Sequence, residues 1–465
     1  MAYTHLTLAA AKTALSQRLH DTGKVYWTDE ELGYYIIEAL QTWGLATGYW
    51  RDTGILATVA GTAFYNISSI QNTGSESLLS YAVTDTTLAK MIQHHLLEPA
   101  AGTSWTGSEQ FIYADITGAL QRRRDNILVD TACRITVSTQ IMPATAKTVD
   151  LSGNILSIKR LSWKGAITGE DWPLFPEDIS NQRNYSTDYL LTQGVPQTFS
   201  SSSTRPLRLI IAPPSNEPGT LTIMGVEAGA DLTGAGISMG IPDDMCWIAK
   251  WGAMADMLGK EGPGQDLARS YFCERRYRLG IELSRLNPTV LNAEINGVAL
   301  TPESISRLDQ YDPNWYSTQG VPELLGNVRN YIALATAPNG IYSVLLDVVR
   351  KAVVPSSPTD DAHQIQIGKD YVSPILDYAE HLAAFKCGGE EFRHTFRGAS
   401  NFFNAALQYN QRLASQSPNL RELIEQSTLD DSVMPLRKKT YDPEIEHLVN
   451  AADQSDQTRN AYREI

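Results

Sequence analysis

The chain has 465 residues, more than one ordinary core holds, and at about 150 residues per domain it should fold as two or three. Its formal net charge of −14 disfavours tight wrapping of nucleic acid, because that affinity comes mainly from neutralising phosphates. Four scattered cysteines (Cys133, Cys246, Cys273, Cys387) lack Cys-x-x-Cys spacing and read as small core residues; with no membrane-length apolar run and no signal-peptide-like start, a folded cytoplasmic protein is expected.

The first predicted helix begins near Thr7-Leu8-Ala9. A second begins at Trp27-Thr28-Asp-Glu-Glu, where Thr28 is the expected N-cap and the acids suit the positive end of the helix dipole. The strand-like stretch TGILATVAGTAFYNI follows. The same order then returns: Thr87-Leu88-Ala89, Trp105-Thr106 and Ala119-Leu120-Gln121 echo Thr7-Leu8-Ala9, Trp27-Thr28 and Ala39-Leu40-Gln41, and the strands CRITVSTQIM and KTVDLSGNILSIKRL come next. His94 and His95 are adjacent on a helix and face different ways, whereas a helical metal pair wants i, i+4 spacing. Arg122-Arg123-Arg124 is expected to be a solvated cationic end of a helix.

The pentapeptide TQGVP stands at Thr192–Pro196 and again at Thr318–Pro322, 126 positions on. At that offset Asp244 meets Asp370, Ala253 meets Ala379, Lys260 meets Lys386 and Gly262 meets Gly388. Between the anchors, LRLIIAPPSNEPGTLTIMGV and YIALATAPNGIYSVLLDVV each read as a hairpin. Met245, Ile248, Ala249 and Gly252 then follow helical spacing, and after the Gly262-Pro263-Gly264 break Leu279, Leu283 and Leu286 mark a second helix. Asp244 and Asp370, just ahead of their helices, are expected N-caps.

Gly236-Ile237-Ser238-Met239-Gly240 matches the G-x-S-x-G pattern of a nucleophile elbow. An elbow needs a helix directly after the serine, but Ile241-Pro242-Asp243-Asp244 intervenes and the repeat sets Gln364 opposite Ser238. A serine hydrolase using Ser238 is therefore a remote alternative. Gly234-Ala-Gly236 is a faint dinucleotide-loop echo without a βαβ unit.

The order along the chain is front, front, back, back. The expected fold class is α+β, built of two similar modules, each a helical bundle (opening helix pair and closing helical hairpin) with an antiparallel β part, one module inserted in the other. Residues 1–83 would be the front half of the outer module, 84–290 the inserted inner module, 291–418 the back half of the outer module and 419–465 an extended C-terminal tail. Pairing the first front with the first back is the competing possibility.

LDQYDPNWYSTQGVP, from Leu308 to Pro322, resembles the Leu-Asp…Asn-Pro-x-Trp…Thr-x-Gly-x-Pro segment of the head-to-tail adaptor (connector) proteins of tailed bacteriophages. Ile241-Pro-Asp-Asp…Ala253-Met-Ala-Asp256…Lys260…Ala268…Tyr271 looks like the same family's closing hairpin, and the fronts are similar to its opening helices, with Trp27 and Glu31 or Trp105 and Glu109 at matching places. The likeness covers roughly residues 4 to 290 and 300 to 415. It implies a structural virion protein and no enzyme: a ring in the neck between capsid and tail, assembled in the host cytoplasm. The implied partners are the portal protein, tail or nozzle proteins and further copies of itself, with genomic DNA passing through the lumen. No cofactor, metal or membrane is implied. The internal duplication departs from the family's usual single module; twelve copies would match the portal's symmetry and are favoured over six. A tail or baseplate assembly protein is the alternative.

A ring subunit needs lateral faces, for which Trp43, Trp50, Trp247, Trp251 and Trp315 are candidate anchors. An acidic lumen suits DNA passage without adhesion. The tail from about Ser417 is polar and expected to be extended alone; Arg437, Lys438 and Lys439, with Tyr441, Ile445, Leu448 and Val449, are the candidate docking residues for portal or a neighbouring ring.

Overall fold

Two threonine-led helices open the chain in the computed structural model, which describes residues 5–416 apart from 73–74, 98–104, 106–108, 170, 179–189, 203, 205, 263 and 287–289. After a short strand, β1 (Leu6–Thr7), come α1 (Leu8–Arg18) and α2 (Asp29–Thr47). Thr7 accepts from the Ala10 amide. Thr28 accepts from the Glu31 amide while the Glu31 carboxylate accepts from the Thr28 amide at 3.0 Å, a complete capping box. β2 (Arg51–Ala57) and β3 (Phe64–Asn66) follow.

The pattern then begins again. Thr84 caps α3 (Asp85–Leu96), and α4 (Tyr113–Thr131) leads into β4 (Thr136–Met142), β5 (Thr148–Asp150), β6 (Ile155–Gly165), β7 (Asp171–Pro176), β8 (Thr198–Ser201), β9 (Arg208–Ala212) and β10 (Gly219–Glu227). The hairpin of α5 (Cys246–Gly259) and α6 (Leu267–Leu286) closes this stretch. Beyond it lie β11 (Val290–Ile295), β12 (Val298–Ala299), β13 (Thr301–Glu303), α7 (Ile305–Tyr311), β14 (Gln319–Gly320), β15 (Leu324–Val328), β16 (Tyr331–Ala335), β17 (Ala337–Pro338), β18 (Ser343–Val349) and β19 (Gln364–Ile365). Helices α8 (Lys369–Ala384), α9 (Gly389–His394) and α10 (Phe396–Gln416) end the described chain.

The fold is mixed α+β. β4 to β10 form one sheet in the order β4-β10-β6-β7-β8-β9-β5. In it β10 lies antiparallel between β4 and β6, β7 runs parallel beside β8, and β9 lies antiparallel between β8 and β5. The remaining long strands make the same series of pairings in two smaller sheets. There β18 lies antiparallel between β2 and β11, β13 runs parallel beside β15, and β16 lies antiparallel between β15 and β3. Thus β2 and β3, from before residue 83, pair with strands from beyond residue 290. The helices divide alike: α1 and α2 pack on α8, and α2 on α10, whereas α3 and α4 pack on α5, and α4 on α6.

The helices of both sets share one continuous apolar core, while each β part has a core of its own. Trp43, Trp50, Trp247 and Trp251 belong to the helical core and Trp315 to a small cluster with Tyr316 and Ala333; none is more than 6% exposed. The expectation that these five anchor lateral faces is corrected: their rings are spent inside the chain.

Other expectations also change. Asp244 is not a helix cap, because a turn of 3₁₀ helix, Asp243–Met245, runs straight into α5 and leaves no first-turn amide for it. Its carboxylate instead accepts from the Ala352 amide at 2.8 Å, tying α5 to the chain after β18. Asp370 lies inside the first turn of α8, whose N-cap is Gly368 without a side-chain bond, so it meets the dipole as a charge only. Arg122-Arg123-Arg124 sits in mid-α4, since that helix continues to Thr131; Arg124 is fully buried and donates to the carbonyls of Ala230 and Gly229.

The front register also differs from that of the sequence echoes. α2 and α4 are both 19 residues long and end on left-handed residues, Gly48 and Ala132. In each, the last threonine hydroxyl donates one turn back, Thr47 to Trp43 and Thr131 to Ile127. Their features match 84 positions apart, and the capping threonines Thr7 and Thr84 lie 77 apart. The residue facing Glu31 is then Asp115; Glu109 precedes the helix.

Thr28→Ala removes the capping box and should lower stability by about 1 kcal/mol, with urea denaturation as the readout; an unchanged midpoint would count against the cap's contribution.

Candidate functional site

Helix α2 presents Glu31, Tyr34, Tyr35 and Glu38 along one face, and the second set of helices closes over it. Glu38 is fully buried. It is bonded to Lys250 of α5, accepts from the Trp251 indole at 2.6 Å and lies 3.6 Å from the Arg276 guanidinium of α6. Lys250 also reaches His95 Nε2 of α3 at 3.0 Å, and Arg276 donates to the Tyr378 hydroxyl of α8. As acceptor, that His95 nitrogen requires a neutral ring. Burial first, then the neighbouring cations Lys250, Arg269 and Arg276, hold the His95 pKa well below its usual 6.5. Burial also lowers the pKa of Lys250, against the pull of Glu38.

Two turns toward the N-terminus of α2, Glu31 takes the buried Lys386 ammonium at 3.1 and 3.2 Å. Beside it Phe272 of α6 enters a ring cage of Phe385, His381, Phe392 and Phe396. Arg269 donates to the carbonyls of His95 and Phe385. This polar seam joins α2 and α8 to α3, α5 and α6. Ions buried so deeply cost several kcal/mol to desolvate, which is recovered only in good geometry, so the seam selects one docking position.

The seam was not foreseen from the sequence. The signal available was Lys250 inside the otherwise apolar run CWIAKWGAM, a charge that helical spacing turns inward.

A second feature lies among α4, α5 and α6. An open groove of ≈ 890 Å³ is lined by residues including Asp115, Arg122, Asp256, Lys260, Tyr271 and Glu274. Arg123 pairs with Asp256 at 2.5 Å and Glu274 at 2.7 Å, and Lys260 with Asp115 at 2.6 Å. Arg122 reaches Asp256 at 3.3 Å, yet its side chain is 65% exposed.

Ser238 is spent on structure. Its hydroxyl donates to the Tyr81 carbonyl at 2.6 Å and accepts from the Gly240 amide, while its backbone bridges Thr84. Gln364 occupies the like position, paired with Thr7. The amides of Gly234, Gly236 and Ile237 converge on the buried Asp85 carboxylate at 2.7–3.0 Å, so this glycine loop binds an internal anion. His94 and His95 are buried, and among the described residues no group of three or more His, Cys, Asp or Glu could hold a metal. Cys133, Cys246 and Cys273 are buried and free, and Cys387 is half-buried. No described helix is long and apolar enough to cross a membrane. Arg437, Lys438, Lys439, Tyr441, Ile445, Leu448 and Val449 lie outside the described residues.

No family model matches the chain, and no curated protein matches it.

Lys250→Ala leaves Glu38 buried without its main counter-charge and should cost about 3–5 kcal/mol. Replacing both residues by leucine should cost clearly less, because no ion is stranded; chemical denaturation of the two variants checks the order.

The Asp244 carboxyl is pushed up from 3.8 to about 7, chiefly by burial and further by Asp243, against the Ala352 amide and Lys351. A raised carboxyl pKa favours folding below the unfolded value and loses that contribution as pH rises through the folded one. Asp244→Asn should therefore stabilise the protein by about 1 kcal/mol or more at pH 8 and by less near pH 4. Denaturation midpoints across this range read the difference; a gain that grew as pH fell would refute it.

Proposed function

We propose that the chain is a structural connector of a tailed-phage virion, two copies of one module with the second sewn into the first, and that it forms a ring between portal and tail. The observation that carries this reading is the doubled pairing series: β4-β10-β6 with β7-β8-β9-β5 has the same order and sense as β2-β18-β11 with β13-β15-β16-β3. Each series is flanked by an opening helix pair and a closing hairpin, the segment order on which the family resemblance rests.

Further matched details support the same module boundaries, 1–83 with 291–418 and 84–290. Lys386 pairs with Glu31 and Lys260 with Asp115, at like places in the two sets. The TQGVP segments both make a parallel backbone bridge, Gly194 to Ser215 and Gly320 to Pro338. Under this reading shape and cohesion are the function, and Ser238 and Asp85 serve the scaffold. The acidic chain lets genomic DNA pass without sequence-specific contact. The segment around Arg437, Lys438, Lys439, Tyr441, Ile445, Leu448 and Val449 docks on portal or on a neighbouring ring.

Incubating the purified chain with portal and imaging by electron microscopy tests the reading. A ring stacked on the portal is expected; rings that join tail components alone would move the assignment to tail assembly. Removal of residues 425–465 should abolish attachment, and normal attachment of the truncated chain would discard the docking role of that segment.

A further inference from the structure

The seam uses one face of each set of helices, and the counterpart faces stand exposed. On α2 the Glu31–Glu38 face is covered by α3, α5 and α6. At the matching 84-residue spacing α4 carries Asp115 and Arg122, with Arg122 65% exposed. The cage that holds Phe272 has a counterpart too. At the 126-residue spacing Phe385 and His381 correspond to Gly259 and Ala255, and these small residues line the ≈ 890 Å³ groove. One space is filled by an aromatic ring from within the chain; the other is open.

The complementary face is also present. Trp251, which donates to Glu38, corresponds to Asp377 on α8, and His95 to Arg18 on α1. Arg18 pairs with Asp377 and lies 3.8 Å from Glu380, all three side chains being 24–29% exposed. Two contacts set the match of α6 with α10: Ser270 donates to the Ala255 carbonyl as Thr395 meets His381, and Tyr277 abuts Gly252 as Phe402 stacks on Tyr378. In that register Phe272 corresponds to Arg397, which is exposed.

We propose that the groove and α4 of one copy receive α8 and the start of α10 of a second copy, repeating between chains the contact that the seam makes within one. The inference rests on reading the chain as two copies of one module, but not on the portal. Charge supports it: Arg122 stands in the place of Glu38 and Asp377 in the place of Trp251, so the buried acid–indole contact becomes an arginine–aspartate pair across chains. Arg397 is then directed at a groove lined by Asp115, Asp256 and Glu274. The two faces share no residue, so the contact is heterologous and every copy keeps one face of each kind, giving a ring where the rotation closes. A ring built this way holds half as many chains as module positions, so a twelvefold set of modules needs half that number of chains.

The test uses the full chain alone, by sedimentation velocity and native mass spectrometry. Wild type should self-associate beyond a dimer, and Arg122→Glu or Asp377→Arg should each weaken association by about tenfold or more with unchanged circular dichroism. The two variants mixed should assemble again, since every contact between them pairs opposite charges, Arg122 with Asp377 at one and the two introduced side chains at the next, and both changes in one chain should likewise restore assembly. Should a charge variant fold poorly, a chain with Arg122→Cys and Asp377→Cys should give a ladder of disulfide-linked multimers on oxidation. A wild type that stays monomeric up to its solubility limit, variants that assemble like wild type, or the absence of the ladder overturns the proposal. Rings that form but do not stack on portal would leave it standing and remove the portal role instead.

Discussion

The whole arrangement depends on a carboxylate that has nowhere else to go. Glu38 lies within the helical core, and its charge is met by Lys250, Trp251 and Arg276 from α5 and α6. Apolar faces alone would allow α2 to slide or rotate against α5 and α6 at modest cost. A buried acid with directional partners does not, because any displacement strands a charge in a low-dielectric interior. The relation between the two sets of helices is thereby fixed to one position.

Chain order adds to this. The strands β2 and β3 pair with β18 and β16, which the chain reaches only after β4 to β10 and the hairpin of α5 and α6. The helices merge into one core while the β parts keep separate ones. Cohesion between the two sets therefore resides in the helices, in the tie from Asp244 to Ala352, and in polar contacts between the β parts, where Arg160 of β6 pairs with Asp309 and the Tyr316 hydroxyl donates to Asp171.

Much of the local structure was legible. Thr28 with Glu31 three residues on forms a cap through bonds that span a single turn, and the closing hairpins follow from apolar spacing and a glycine break. The repeated TQGVP has a physical use as well: in the second copy its glycine lies beside β17, and a Cβ at Gly320 would sit 2.6 Å from the hydroxyl oxygen of Thr336, just ahead of that strand. What could not be read was the fate of individual polar groups. Asp244 looks like a cap and bonds an amide beyond β18; Arg124 looks like part of a solvated run and is buried beneath two carbonyls; Glu38 and Arg276 look like ordinary helix charges.

The sequence by itself pointed to the capped opening helix, to the closing helical pairs and to internal echoes in a front, front, back, back order, and its pattern resembles a connector family. These are consequences of interactions within a few residues or of comparing the chain with itself. Only the tertiary structure decided which front packs with which back, where the register of the repeated helices falls, and which charges are buried at the seam and which face solvent at the groove. Burial and pairing are properties of residues brought together from hundreds of positions apart; a local pattern can mark one buried charge, as the apolar run around Lys250 does, but not the partner that meets it.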